Sequence, residues 1–179
     1  MADRIRWGIA GTGGIASAFA EDLKLLPDAE LVAVGSRARD SADAFGDRFD
    51  IPHRHVGYEA LASDPEVDAV YVAVPHSGHS EAALAAIAER KAVLVEKPFT
   101  MNAAEAERMI TAARAAGTFL MEAMWVRFLP HFVHVRELLA EGRIGQVRAV
   151  ISDRGETLST DPLHRINNPE LGEIGRAHV

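Results

Sequence analysis

The sequence predicts an α/β protein built on a doubly wound parallel sheet. Short runs rich in Val, Ile and Ala alternate about five times with longer segments in which apolar residues recur at helical spacing. The first apolar run, residues 5–10, passes through a glycine cluster directly into a helical pattern. Strands and helices that alternate in this way form a parallel sheet with helices on both faces.

The predicted strands are short and mostly apolar or β-branched, as buried parallel strands are. They cover residues 5–10, 30–35, 55–56, 67–74, 91–96, 118–123 and 146–152. The predicted helices cover residues 14–24, 58–62, 103–116 and 130–141, and two further helices end at Phe49 and follow His79. Asp40 or Ser41 is expected to cap the helix that ends at Phe49. Asn102 is expected to cap the helix that Gly117 ends.

Bulk properties exclude several classes of protein. The 179 residues carry a formal net charge of −7 and no basic run, which argues against nucleic acid as a main partner. Without cysteine there is neither a disulfide nor thiolate chemistry. No apolar stretch approaches the roughly 20 residues of a membrane span, and the first strand begins too early to leave room for a signal peptide. A cytoplasmic enzyme or binding protein is therefore expected.

The glycine cluster matches the pattern G-x-G-x-x-A with Gly11, Gly13 and Ala16. Gly11 allows a tight turn out of the strand, and Gly13 lacks the Cβ atom that would keep a pyrophosphate away from the backbone. Ala16 is small enough for the helix to pack closely on the strand. Free N–H groups at the helix N-terminus would then face a phosphate. A plain structural turn is the alternative explanation of the same residues.

The end of the second strand indicates which dinucleotide is bound. NAD-binding sites usually place an Asp or Glu there to bind the ribose 2′-hydroxyl. This chain has Ser36 and Arg37 instead, with Arg39 close by. Because a guanidinium can bind a 2′-phosphate through two hydrogen bonds, NADP is favoured over NAD. The alternative is that Arg37 and Arg39 are only solvated loop charges.

Ligands of open α/β sheets bind beyond the carboxyl ends of the strands, so the loops after the predicted strands should meet at one site. These loops hold residues 11–14, 36–37, 75–79, 96–98 and 123–127. With Glu-Lys-Pro at 96–98, the chain resembles the N-terminal part of the Gfo/Idh/MocA oxidoreductase family over about residues 3–172. Residues 121–128 and the motif Asn-Asn-Pro-Glu-Leu-Gly at 167–172 are similar to the branch with dihydrodiol dehydrogenases and NADP-dependent D-xylose dehydrogenases.

The resemblance implies a role for each residue of the Glu-Lys-Pro motif. Lys97 matches the family lysine that contacts the nicotinamide ribose and the reacting oxygen of the substrate, so it is the expected catalytic residue. An ammonium there stabilises the negative charge that develops on a carbonyl oxygen. Glu96 is expected to position the loop, and the Lys97–Pro98 peptide bond to be cis. The alternative for Lys97 is an exposed lysine at a strand end.

The resemblance also implies a set of cofactor and substrate contacts. The residues expected at the cofactor are Gly11, Thr12, Gly13, Gly14, Ile15, Ser36, Arg37, Pro75, His76, His79, Glu96 and Lys97. Trp125 and Arg127 are expected at the substrate. For His79 the alternative is a residue at the start of a helix that bonds only to the backbone, and for Trp125 it is a contact between domains.

No metal site is expected. His76 and His79 are spaced i, i+3, but no carboxylate or cysteine accompanies them. His131 and His134 have the same spacing and are expected on a solvated helix face.

The resemblance implies a division into a dinucleotide-binding domain at 1–123 and the incomplete start of a substrate and dimerisation domain at 124–172. Relatives continue into a large antiparallel sheet, through which the full-length protein is expected to form a homo-oligomer. Residues 173–179 read like a translated sequencing adapter, so a non-native tail on a truncated reading frame is expected. From about Val147 onward the chain is then expected to be loose.

The sequence is compatible with two functions. The resemblance implies NADP-dependent hydride transfer to or from a hydroxyl or carbonyl carbon of a sugar, polyol or dihydrodiol. This chain, as a fragment of such an enzyme, is expected to be weakly active or inactive. The alternative is a non-catalytic NAD(P)-binding sensor or regulatory module of the same fold. An intact Glu-Lys-Pro motif favours the enzyme, because a sensor has no need of Lys97.

Overall fold

A computed structural model describes residues 4–153 and 155 and has a six-stranded parallel sheet at its centre. The strands are β1 (Ile5–Ala10), β2 (Ala29–Ser36), β3 (His53–Val56), β4 (Ala69–Val72), β5 (Ala92–Val95) and β6 (Leu120–Glu122). Their order across the sheet is β3-β2-β1-β4-β5-β6, and every neighbouring pair is parallel. The chain therefore winds outward in both directions from β1, which confirms the predicted doubly wound fold.

Helices cover both faces of this sheet. They are α1 (Gly14–Leu23), α2 (Arg39–Phe49), α3 (Tyr58–Ala62), α4 (His79–Ala88), α5 (Ala103–Ala116) and α6 (Pro130–Ala140), with short 3₁₀ turns at His76–Gly78 and Trp125–Phe128. One apolar core lies between the sheet and α3, α4 and α5. A second core, which contains Ile9 and Val34, lies against α1 and α2 on the opposite face. Burial of these two apolar faces is the main stabilising term of the fold.

The predicted helix caps are confirmed at one helix and wrong at another. The Asn102 side chain accepts a hydrogen bond from the Glu105 N–H at the start of α5, and Gly117 ends that helix in the left-handed conformation. In contrast, α2 already begins at Arg39, and no side chain of the described residues caps it. Asp40 and Ser41 lie inside its first turn, so neither can occupy the capping position.

The predicted strand at residues 146–152 does not form, although all of these residues belong to the described part of the chain. Their backbone is irregular and exposed, because no neighbouring strand among the described residues offers hydrogen-bond partners. The motif at 167–172 and the segment 173–179 lie outside the described residues. None of the helices in the described part of the chain combines the length and the apolar character that a membrane crossing requires.

Candidate functional site

A cleft of about 490 Å³ opens where the loops after β1, β2, β4 and β5 meet. It is lined by Gly11, Thr12, Gly13, Gly14, Ile15, Ser36, Arg37, Tyr58, Ala73, Val74, Pro75, His76, His79, Glu96 and Lys97. The fold thus brings together, around one cavity, every residue that the sequence predicts at a cofactor. The cleft lies at the position in the sheet where the strand order reverses, which is the usual ligand crevice of open α/β sheets.

The two motif glycines of the first loop serve different physical needs. Gly11 has φ +108°, and a Cβ atom there would come within 2.6 Å of the Ala73 carbonyl oxygen. Gly11 is therefore required by the fold itself. A Cβ atom on Gly13 would meet no described protein atom within 4 Å, so the space beside Gly13 is open to a ligand. Ala16 is completely buried against the sheet, as predicted for close packing of α1.

The N-terminus of α1 points into this cleft without a capping side chain from the described residues. Its first N–H groups, from Gly14 onward, have no partner within the helix and carry a partial positive charge. Open space at Gly13 and free N–H groups together fit a pyrophosphate. The residues at this end of the cleft therefore fit a dinucleotide.

Two arginines follow β2, and only one of them lines the cleft. Arg37 is exposed at its rim, beside the nearly buried Ser36. Arg39 instead turns toward β3, where its Nη1 donates to the Arg54 carbonyl oxygen at 2.9 Å. Arg39 is therefore a loop charge outside the site, which was the alternative considered for both arginines. Arg37 lies where it can contact a phosphate group.

The Glu-Lys-Pro segment is held by two side chains that sequence reasoning missed. Tyr71, on β4, donates its hydroxyl to Glu96 Oε1 at 2.6 Å. Glu122, at the end of β6, accepts the Phe99 N–H at 2.9 Å. Burial and the neighbouring carboxylate raise the pKa of Tyr71 far above its usual value, so its hydroxyl keeps its proton.

The geometry of this segment leaves Lys97 available for chemistry. Glu96 also accepts the Lys97 N–H, at 3.1 Å through Oε2, so both of its carboxylate oxygens are used to hold the loop. This is the positioning role expected for Glu96. The Lys97–Pro98 peptide bond is cis, as expected, and the Lys97 side chain is exposed in the cleft.

His79 borders the cleft with a completely buried ring. Nδ1 lies 2.9 Å from the Pro98 carbonyl oxygen, and Nε2 lies 3.0 Å from the Val74 carbonyl oxygen. Burial lowers the pKa of His79, and a neutral imidazole can donate to only one of these carbonyls at a time. These contacts favour the alternative of a ring that bonds to the backbone. His76 lies on the rim of the same cleft, 5.4 Å from His79 between ring centroids.

Tyr58 is a lining residue that the sequence analysis missed. It begins α3 directly after Gly57, whose φ of +92° turns the chain from β3 back toward the cleft. Burial raises the pKa of Tyr58, although the charge of Arg37 opposes this effect. The available signal was its position just after a predicted strand, the same signal that identified the other loops.

Trp125 and Arg127, predicted at the substrate, occupy different surroundings. Trp125 is 65% exposed and lines a second, mostly apolar cleft of about 370 Å³. This cleft shares Ile15 and Glu96 with the first one, so the two are adjacent. Arg127 lies outside both clefts, and its carbonyl oxygen accepts a hydrogen bond from Arg136. The structure thus brings Trp125, but not Arg127, next to the Glu96 loop.

The histidine pair on α6 gives no sign of a binding site. His131 and His134 are exposed, and His134 faces Glu137 at 3.6 Å across one helical turn. This agrees with the solvated helix face that the sequence predicts.

Known proteins with similar sequences include dehydrogenases. The chain is 44% identical over 160 residues to trans-1,2-dihydrobenzene-1,2-diol dehydrogenase of Mus musculus, and the match covers 88% of this chain and 48% of that protein. It is 39% identical over 188 residues to D-xylose 1-dehydrogenase (NADP(+)) of Hypocrea jecorina, and this match covers 93% of this chain and 48% of that protein. The chain therefore spans about half the length of the curated relatives it matches.

A solved structure and a family match agree with these relatives. KijD10, a 3-ketoreductase from Actinomadura kijaniata solved in complex with NADP, superposes with a TM-score of 0.74 at 37% identity, over 82% of this chain and 47% of that one. Residues 5–124 match the Gfo/Idh/MocA family, described as an oxidoreductase family with an NAD-binding Rossmann fold. The glycine loop and the strand order are typical of that fold, and the match covers most of the chain, so the chain belongs to this oxidoreductase family.

Proposed function

We propose that this chain binds NADP and belongs to an oxidoreductase that transfers a hydride to or from a hydroxyl or carbonyl carbon of a sugar, polyol or dihydrodiol. The observation that carries the proposal is the single cleft that joins the uncapped N-terminus of α1, Arg37 and Lys97. These three features match the three parts of the ligand: the pyrophosphate, the 2′-phosphate and the reacting end. The relatives named for dihydrodiols and NADP-dependent D-xylose oxidation support the substrate class.

Within this proposal, the main groups of the cleft have defined tasks. The N–H groups at the start of α1 bind the pyrophosphate, and Arg37 binds the 2′-phosphate. Bound NADP supplies the hydride chemistry. Lys97 gives a proton to the carbonyl oxygen during reduction and takes it back from the hydroxyl during oxidation, so that no free alkoxide builds up. Glu96 and Tyr71 keep the Lys97 backbone in place.

The same proposal assigns the remaining predicted residues and the domain limits. Trp125 belongs to the substrate side, because its apolar cleft adjoins Glu96. Arg127 is exposed in the 3₁₀ turn at Trp125–Phe128, and its contact with the substrate stays a prediction. Residues 1–123 form the dinucleotide-binding domain, 124–172 begin a second domain, and any homo-oligomer would form through that second domain.

A non-catalytic sensor of NADP is the competing function. It would use the same glycine loop and the same arginine. What favours the enzyme is the exposed Lys97, held in the cleft by a carboxylate with both oxygens engaged. A protein that only binds the dinucleotide has no need of a proton donor at that position.

Cofactor choice is tested by fluorescence titration of the chain with NADPH and with NADH. We expect saturable binding with a preference for NADPH, and Arg37→Asp should reverse the preference, because a carboxylate repels a 2′-phosphate and accepts from a 2′-hydroxyl. Arg39→Asp is the matched control, since Arg39 follows the same strand but bonds to Arg54. A folded wild-type chain that binds neither nucleotide, as judged together with circular dichroism, would refute the proposal.

The role of Lys97 is tested by following the formation of NADPH from NADP⁺ with aldoses, polyols and dihydrodiols as substrates. We expect Lys97→Ala to lower kcat at least about a hundredfold while weakening NADPH binding much less, because the ammonium contacts the nicotinamide ribose but acts mainly on the transition state. Turnover that survives this substitution would contradict the assigned role. A protein that also contains the complete second domain and binds NADPH, but turns over none of these substrates, would favour the sensor.

A further inference from the structure

A second group of chemically active side chains lies on the edge strand β3. His53 and His55 alternate along this strand with Arg54, so both histidines lie on one face of the sheet and Arg54 on the other. Arg54 bonds to Ile51 and Asp47 on that opposite side. Asp64, which follows α3, reaches the face of the two histidines. His53, His55 and Asp64 are absent from the lining of both clefts that the described residues form around Glu96.

Asp64 joins both histidines through a single oxygen atom. Its Oδ2 lies 2.6 Å from His53 Nδ1 and 2.8 Å from His55 Nε2. The three potential ligand atoms all lie within 4.8 Å of one another. The Asp64 side chain is 4% exposed, whereas those of His53 and His55 are 39% and 24% exposed. The cluster therefore has a fixed, buried carboxylate below and two imidazoles at the surface.

Backbone contacts hold the carboxylate in place. Asp64 Oδ1 accepts the Glu66 N–H at 2.8 Å, which leaves Oδ2 directed at the histidines. Lys91 donates to the carbonyl oxygens of Asp64 and Val67, and so fixes the loop without using the carboxylate. Burial acts to raise the pKa of Asp64, but the hydrogen bonds from Glu66, His53 and His55 outweigh it and lower the pKa to about 2. The carboxylate is thus ionised at neutral pH.

We propose that His53, His55 and Asp64 form a binding site for a divalent transition-metal ion, with Zn²⁺ as the representative ion. Two imidazoles and one carboxylate are a ligand set that such ions bind, and the exposed side of the cluster leaves a fourth position for water. The Glu66 N–H orients the carboxylate in the way that outer-shell partners orient metal ligands.

Metal binding requires the histidine rings to move relative to the carboxylate, so that their nitrogens and Oδ2 surround one ion. At metal–ligand distances near 2.1 Å, tetrahedral ligand atoms lie about 3.4 Å apart. This is roughly 0.6–0.8 Å more than the present nitrogen–oxygen distances of 2.6 and 2.8 Å. The partly exposed histidine rings have room for this shift, while the buried carboxylate stays in place. A bound ion would then tie the edge strand β3 to the loop between α3 and β4. This site is separate from the proposed hydride transfer and does not depend on it.

The test is a titration of the full chain with Zn²⁺ in competition with a chromogenic chelator. The wild type should bind one equivalent that is lost at acidic pH, because the histidines must be neutral to bind a metal. His53→Gln and His55→Gln should each weaken this binding at least tenfold, and a glutamine can still donate a hydrogen bond to Asp64. The double variant His131→Gln and His134→Gln is the matched control, because these exposed histidines lack a buried carboxylate, and it should bind like the wild type.

The outcomes separate the proposal from its rivals. Equal Zn²⁺ binding by the wild type and the His53→Gln variant, or loss of binding only in the His131 and His134 control, would overturn it. Should a glutamine variant fail to fold, NMR of the wild-type histidine rings decides: Zn²⁺ must shift the signals of His53 and His55 at one equivalent. Unchanged signals for these two rings would mean that Asp64 only forms hydrogen bonds with them.

Discussion

At the scale of single residues, similar side chains in this protein have different tasks because their neighbours differ. Arg37 and Arg39 follow the same strand, yet one lines the cleft and the other bonds to Arg54. Gly11 and Gly13 belong to the same motif, yet a side chain on the first would clash with the Ala73 carbonyl and one on the second would point into open space. Residue type alone does not separate these roles.

This difference between the glycines predicts two distinct mutant phenotypes. Gly11→Ala should lower the free energy of unfolding by about 2–4 kcal/mol, since it combines an unfavourable φ with a clash. Gly13→Ala should change it by less than about 1 kcal/mol but weaken NADPH binding at least tenfold, because its Cβ would lie where the pyrophosphate is expected. Urea unfolding and NADPH titration of both variants check this. Equal losses of unfolding free energy in the two variants would contradict the conclusion that Gly11 serves the fold and Gly13 the ligand.

At the scale of elements, the two best-defined helix starts differ in how their N–H groups are used. Helix α5 begins with a side-chain cap, in which Asn102 accepts the Glu105 N–H at 3.0 Å. Glu105 in turn accepts the N–H of Met101, the residue before the cap, at 3.2 Å. Helix α1 has no capping side chain among the described residues and opens onto the cleft. A helix that serves only the fold satisfies its own end, whereas α1 keeps its end for a ligand.

The cap of α5 should therefore contribute to stability and not to binding. Asn102→Ala should lower the free energy of unfolding by about 1 kcal/mol, because the Glu105 N–H loses its acceptor. Asn102→Ser keeps an acceptor without bringing a second carboxylate next to Glu105, and it should stay close to the wild type. Denaturant unfolding measures the first effect, and an unchanged Kd for NADPH completes the prediction. An Asn102→Ala variant with the same free energy of unfolding as the wild type would contradict this role of the cap.

At the scale of the whole molecule, the winding of the sheet brings sequence-distant loops to one edge, and it also buries titratable groups. His79 lies between the end of β4 and the Lys97–Pro98 segment, where burial lowers its pKa. Its neighbour His76 adds to this effect. A histidine with a lowered pKa resists protonation in the folded state, so the unfolded chain binds more protons below the usual pKa of about 6.5.

The folded chain should consequently lose stability as the pH falls from about 7 to 5. His79→Gln should be less stable than the wild type at pH 7.5, because glutamine fills the site poorly, but it should lose less stability on acidification. Urea unfolding at both pH values measures the difference. A further loss is expected between about pH 4 and 2, where Asp64 takes up its proton. A wild type whose stability rises between pH 7 and 5 would contradict the role given to His79.

Local sequence by itself determined the elements and most of the cleft. Apolar runs of strand length, helical spacing and the glycine loop each act over a few neighbouring residues, so they could be read in order along the chain. Parallel strands then bring their carboxyl ends to one edge, which is why Gly13, Arg37 and Lys97 could be placed together in advance. The strand predicted at 146–152 was wrong because a strand depends on a partner, and local pattern does not supply one.

Only the tertiary structure decided which side chains meet. Tyr71 and Glu96 are 25 residues apart, and they pair because β4 and β5 are neighbours in the sheet. Asp64 reaches His53 and His55 only because α3 returns the chain to the edge strand β3. The physical reason is the same in both cases: the direction of a side chain depends on strand register and on packing against elements that are distant in sequence.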